Sequence, residues 1–158
     1  MKATQPVPKG FHTITPHLTV KGAQAAIDFY RRAFGAKELR RHAFGDTIAH
    51  AQLQVGSSML MLMDEFPEHG TLGPRAGETG TVLHLYVPDV DASFKRAVEA
   101  GAEVVMPVED MFWGDRYGIV QDPFGHRWSI ASSCEELTPE EVMERAAKVF
   151  STGDCGGD

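Results

Sequence analysis

Three histidines have the chemistry and the spacing to form a site. His17 and His84 hold the same place in two short strings, His17-Leu18-Thr19-Val20 and His84-Leu85-Tyr86-Val87, while His50 shares an alternating stretch with Gln52 and Gln54. A neutral imidazole binds ligand oxygen, moves a proton near neutral pH or ligates a divalent metal. Tyr86 stands two residues past His84, and Trp113 lies in Phe112-Trp113-Gly114-Asp115-Arg116-Tyr117. Rings beside a glycine and an acid–base pair suggest a loop that closes over a flat or apolar ligand, with Arg116 as its charged member. The plainer alternative is a surface loop anchored by Trp113, with Asp115 and Arg116 solvated. His50 reads equally as a cavity group or a solvent-facing edge residue, since strand parity does not choose between concave and convex faces. No nucleophile elbow, P-loop or dinucleotide fingerprint occurs in the chain.

The elements that must carry these residues come in two rounds. From His17 to His84 the offset is 67 residues, and Gln52 precedes Gly56 as Gln121 precedes Gly125. Solenoid units recur at roughly 20–50 residues, so this is a duplicated supersecondary module. Ile14 to Val20 alternates as a half-buried strand with Ile14, Leu18 and Val20 inward. Residues 23–34 place Ala23, Ala26, Ile27, Tyr30 and Phe34 at helical spacing, and Gly35 supplies the stop. Strands follow near 38–44, over 47–55 and over 59–63, where Met59, Met61 and Met63 alternate with Leu60 and Leu62. Ile48 falls on the same face as His50. The second round reads strand 82–87, helix 90–100, strand 103–106, strand 117–121, the turn Asp122-Pro123-Phe124-Gly125 and strand 126–131. Trp128 matches Met59 and reads as core. The expected organisation is modules 12–64 and 80–133 of one domain over 12–133, a linker over 65–79, a helix over 138–150 started by Thr138-Pro139, and flexible ends 1–11 and 151–158.

Composition narrows the partners. At 158 residues, with 42% hydrophobic and 23% charged side chains, the chain suits one globular domain. A net charge of −7 with scattered Lys and Arg argues against nucleic acid and would suit a cationic ligand. Cys134 and Cys155 form no disulfide framework, no apolar run approaches the ~20 residues of a membrane span, and the start of the chain is no signal peptide. The cytoplasm is the expected compartment.

The doubled βαβββ order, His-Leu-x-Val leading into Ile27-Asp28-Phe29-Tyr30, and Asp122-Pro123-Phe124-Gly125-His126 resemble the vicinal-oxygen-chelate superfamily of glyoxalases, bleomycin-resistance proteins and extradiol dioxygenases. Within it, His50, the Met-rich strand and Phe112–Tyr117 are most similar to the PhnB-like, glyoxalase-like branch. The resemblance implies an α+β fold in which two βαβββ modules form a curved mixed sheet around a cavity, often in a homodimer. It also implies a divalent metal (Zn, Ni, Mn or Fe) held by one His, Gln or Glu from the first and last strand of each module. Those positions fall here on Thr15, Val82, Leu60 (or Leu62) and Ser129, and a register two residues longer would bring in His17 and His84. A catalytic metal takes about three protein ligands and an open position, and the carboxylate is lacking. Three readings follow. One is a protein that binds a small molecule in the inter-module cavity without a metal. The second is a metal-dependent lyase, isomerase or dioxygenase using His17 and His84. The third is a metal-free enzyme with His17, His84 or His50 as base.

Overall fold

The computed structural model describes residues 5–75 and 78–151. The expected ends over 1–4 and 152–158, with Cys155, and Gly77 of the linker lie outside the described residues. The architecture is α+β and doubled, as the repeat implied. Module one runs β1 (His17–Val20), α1 (Ala23–Phe34), β2 (Lys37–Phe44), β3 (Thr47–Val55) and β4 (Ser58–Asp64). Module two runs β5 (Val82–Tyr86), α2 (Val90–Ala100), β6 (Glu103–Asp110), β7 (Asp115–Gln121) and β8 (Arg127–Ser133), and α3 (Pro139–Ser151) follows. Each module carries its own four-stranded sheet, ordered β1-β4-β3-β2 and β5-β8-β7-β6, with the first pair parallel and the rest antiparallel. The 65–79 linker includes a short 3-10 turn at Pro67–His69.

Local chemistry sets the helix ends. The backbone N–H of Ala23 donates to Asp64 Oδ1 at 2.7 Å, so the end of β4 caps α1. Helix α2 carries its own cap, Asp89, which accepts from the Ala92 N–H at 3.1 Å. Gly35 closes α1 in the left-handed region, its N–H returning to the carbonyl of Arg31. At α3 the Thr138 hydroxyl accepts from the Glu141 N–H while the Glu141 carboxylate accepts from the Thr138 N–H, a reciprocal capping box.

Two expectations about strands change. Strand β1 begins only at His17, after Pro16, and Ile14 is 85% exposed instead of inward. Along β3 the pairing jumps from His42↔His50 to Ala43↔Ile48, leaving Ala49 as an extra residue. That bulge reverses the alternation, so Ile48 is buried with Ala51, Leu53 and Val55 and does not share a face with His50. Strand β6 is longer than expected and passes through Pro107, which an edge strand tolerates.

One core holds both modules. The helix-covered sheet faces contribute Leu18, Leu53, Leu60, Leu62, Val120, Trp128 and Ile130. The α1 rings cross the junction: Tyr30 and Phe34 lie 5.5 and 4.6 Å from Trp128, and Phe29 lies 6.1 Å from Phe124. Asp122 fixes it with polar bonds, its Oδ2 accepting from the Tyr30 hydroxyl at 2.6 Å and from Trp128 Nε1 at 2.9 Å. Its Oδ1 accepts from the N–H groups of Phe124 and His126. Burial and then the charge of Asp122 push the Tyr30 hydroxyl well above the ordinary phenol range. The opposite face of each sheet stays open, and there the candidate chemistry sits. By contrast α3 buries none of its residues, and Met143 and Phe150 are exposed.

Candidate functional site

Register decides which side chains share an open face. In module one, His17 lies beside Met61, Met61 beside Gln52, and Gln52 beside Arg40. In module two, His84 lies beside Ser129 and Ser129 beside Ile119. Ser129 therefore corresponds to Met61, and Trp128 to Leu60. This corrects the sequence alignment, which matched Trp128 to Met59 and placed a coordinating position at Leu60 or Leu62. Both leucines are buried on the helix-covered side. Matching Gln52 to Gln121 implied two extra residues by β8, whereas the register pairs Gln52 with Met61 and Ile119 with Ser129 and leaves one, in the turn before β8; a one-residue slip in a strand sends every side chain to the other face.

The open face of module two is an aromatic cluster built on two polar anchors. Ser129 is buried, and its hydroxyl pairs with His84 Nδ1 at 2.6 Å, which fixes the ring and leaves Nε2 as the outward nitrogen. The His84 ring meets Tyr86 edge-on at 4.5 Å and stacks with Tyr117 at 5.9 Å. Asp115, 8% exposed, accepts from the Tyr86 hydroxyl and from Trp113 Nε1, each at 3.0 Å. The hydrogen bond to Asp115, then burial, raises the Tyr86 hydroxyl above its ordinary range. Gly114, at φ 101°, turns Trp113 back toward this carboxylate, and a Cβ there would stand 2.7 Å from the Glu135 carbonyl oxygen. Trp113 then meets Tyr117 edge-on at 5.4 Å.

Arg116 is not part of this cluster. It points to the helix-covered side and is held by both oxygens of Asp91, at 2.8 and 2.9 Å, and by Asp110 at 3.1 Å. Asp115 and Arg116 therefore do not pair, and Asp115 is not solvated. Neighbours in a strand face opposite ways, which separates them.

The open face of module one is a histidine cluster. The His17 ring lies 5.5 Å from that of His50, and His50 lies 6.2 Å from His42. Burial first, then the like charges of His17, His42 and Arg40, hold His50 below the ordinary imidazole range. His50 and Gln52 line a pocket of about 610 Å³ beneath the N-terminal arm. His17 and His84 are not brought together: each one's ring contacts stay within its own module.

Between the modules lies a second pocket of about 320 Å³. Its wall includes Thr15, Met59 and Leu60 from module one and Val82, His84 and Trp128 from module two. Of the seven residues singled out from the sequence, only His84 reaches it. The sequence reading missed Asp115, Tyr117 and His42. The parity of β7 against Trp128 identifies the first two once the turn insertion is known, whereas His42 carried no signal.

The residues do not fit a catalytic metal. Thr15, Met61, Val82 and Ser129 offer no imidazole or carboxylate. Among the described residues no three His, Cys, Asp or Glu side chains are grouped to hold an ion. Also among the described residues, no helix is long and apolar enough to cross a membrane.

Comparison with known proteins places these features in a family. The family model described as Glyoxalase/Bleomycin resistance protein/Dioxygenase superfamily matches residues 10–130. The uncharacterized protein Mb0911c of Mycobacterium bovis is 44% identical over 146 residues, covering 89% of this chain and 94% of that protein. The crystal structure of TioX from Micromonospora sp. ML1 superposes with a TM-score of 0.64 at 32% identity, covering 77% of this chain and 98% of TioX. The PhnB protein of Bacillus cereus, at 17% identity and a TM-score of 0.60 over 77% of this chain and 99% of its own, shares the fold.

Proposed function

The chain belongs to the glyoxalase/bleomycin resistance protein/dioxygenase superfamily, and from that premise we propose that it binds a small, flat or apolar molecule at the inter-module pocket without a catalytic metal. The observation that carries this reading is the His84 wall. An imidazole oriented by buried Ser129 stands beside Tyr86 and Tyr117 and reaches a pocket otherwise lined mainly by apolar groups. Such a site gives ring-on-ring contact plus one directional hydrogen bond, which is how small-molecule pockets combine affinity with orientation. Trp113, tied to Asp115, extends the aromatic surface beyond the pocket rim.

The assembly in this reading is a homodimer. Val82 and Tyr86 on the open face of module two, and Met143 and Phe150 on α3, remain exposed in the single chain. Sedimentation equilibrium reads this directly, and a monomer at tens of micromolar removes the dimer. The proposed compartment is the cytoplasm, where the free, exposed Cys134 stays reduced.

The test of ligand binding uses tryptophan fluorescence with a panel of uncharged aromatic compounds. We expect saturable quenching of Trp128, which lines the pocket, that His84→Ala weakens by about tenfold, with unchanged circular dichroism. Equal affinity in the variant would remove His84, and with it this pocket, from the proposed site. Elemental analysis of protein purified without chelator is expected to show far less than one Zn, Ni, Mn or Fe per chain. A stoichiometric, tightly held ion would instead support the metal-dependent lyase, isomerase or dioxygenase built on His17 and His84.

A further inference from the structure

Local and overall charge part company on the open face of module one. The chain carries a net charge of −7. Yet the pocket of about 610 Å³ beneath the N-terminal arm is lined by Lys9, His12, Arg40, His42 and His50, with no Asp or Glu in its wall. Bulk charge decides long-range steering, but the groups within a few ångströms decide what a pocket holds.

The neighbouring arginines of β2 show how this pocket keeps a cation unpaired. Arg41, Arg75, Arg116 and Arg145 each bond a carboxylate. Arg40 makes no ion pair among the described residues. Register explains the split between neighbours: Arg41 pairs opposite Ala51 and turns to the helix side, where Glu38 holds it, while Arg40 lies opposite Gln52 on the open face. A guanidinium with its fork free is the side chain best suited to a carboxylate, sulfonate or phosphate group. The histidines around it are mutually repulsive when charged. The groups facing His50 are His17 from β1, Arg40 and His42 from β2 and Met61 from β4, with Lys9 and His12 on the arm. None is acidic. The rest of the wall mixes Thr13, Thr15 and Gln52 with apolar groups, among them Pro8 and Phe11 on the arm and Met61 on β4.

We propose that this pocket is a binding site for an organic anion, its charged group held by Arg40 and by histidines that protonate as it binds, its apolar body covered by Phe11 and Met61. The site is in a different pocket from the one bearing His84 and stands without it. Because the anion favours protonated imidazoles, affinity rises as pH falls through the histidine range.

The experiment follows the imidazole ring signals of the full chain by NMR. Sodium sulfate is the first probe, titrated against sodium chloride at equal ionic strength, and 4-toluenesulfonate is the second. Saturable shifts of the His42 and His50 signals are expected, with sulfate bound about fivefold more tightly near pH 5.5 than near pH 7.5, the effect over that range of raising one histidine pKa by about one unit. Arg40→Gln is expected to weaken sulfate by about tenfold, Lys9→Gln by less, and Arg116→Gln not at all. Toluenesulfonate should bind more tightly than sulfate, and equal affinity would remove the apolar half of the proposal. Shifts that chloride reproduces, or an unchanged affinity in a folded Arg40→Gln protein, overturn the site. Neither result bears on the fluorescence test at His84, so the two readings fail separately.

Discussion

The two open faces descend from the same module and do opposite things. In module one His17 is exposed, lies beside Met61 and leans on another histidine; the face is basic and roofed by the chain's own arm. In module two the equivalent His84 is locked to Ser129 and backed by tyrosines, with Asp115 tying Tyr86 to Trp113. Duplication kept the backbone positions and released the chemistry at them. A repeated histidine is therefore evidence of a repeated strand before it is evidence of a shared site. What each His does is set by the residue one strand over, Met61 or Ser129.

The same contrast appears in the carboxylates that close the modules, and it sets the largest expected effect. Asp64 serves module one alone, accepting from the N–H groups of Ala23 and Ile48 at 2.7 Å each. Asp122 is 3% exposed and joins the modules, with four donors that include Tyr30 from the other half. Asp122→Ala strands a buried phenol and an indole N–H and should cost about 3 kcal/mol or more, whereas Asp64→Ala should cost ~1–2 kcal/mol, the range of a lost helix cap. Urea midpoints measure both. Equal losses would mean that the junction is held by its rings and not by its carboxylate.

A smaller difference tests the packing. Ala51 and Gly118 are equivalent, since Ala51 lies opposite Leu62 and Gly118 opposite Ile130. Module one accommodates a methyl group there. In module two Phe94 of α2 occupies that space, and a Cβ at Gly118 would stand 2.7 Å from its ring and 3.0 Å from Val108. Gly118→Ala should destabilise by ~1–3 kcal/mol through overpacking, and Phe94→Leu should relieve part of it. Additive effects in the double variant would show that the two sites do not touch.

Much of this was legible in the chain because period and punctuation agree. The helices over 23–34 and 90–100 were bounded by Gly35 and Gly101, and β3 over 47–55 by Gly45-Asp46 and Gly56. The faces were less legible. The bulge at Ala49 and the extra residue in the turn over 122–126 each reverse parity, and neither disturbs local composition. Arg116 looked like a site residue because it follows Trp113 and Asp115, yet its partner Asp91 lies 25 positions earlier on α2. Long-range partners of this kind come from packing and not from spacing.

The smallest effect separates the faces by pH. His50 is depressed by burial and then by His17, His42 and Arg40. Its folded state takes up a proton less readily than the unfolded chain, so between the ordinary imidazole pKa, about 6.5, and the lower folded value the unfolded state binds more protons. The stability this group contributes is present above about pH 6.5 and is lost as pH falls through the folded value. Thermal unfolding scanned downward from neutral pH should show a falling midpoint, and His50→Gln should flatten part of that slope while leaving the midpoint near neutral pH little changed. An unaltered slope in the variant would mean that the histidines of module one do not repel one another in the folded chain. The basic character ascribed to that face would then rest on Arg40 and Lys9 alone.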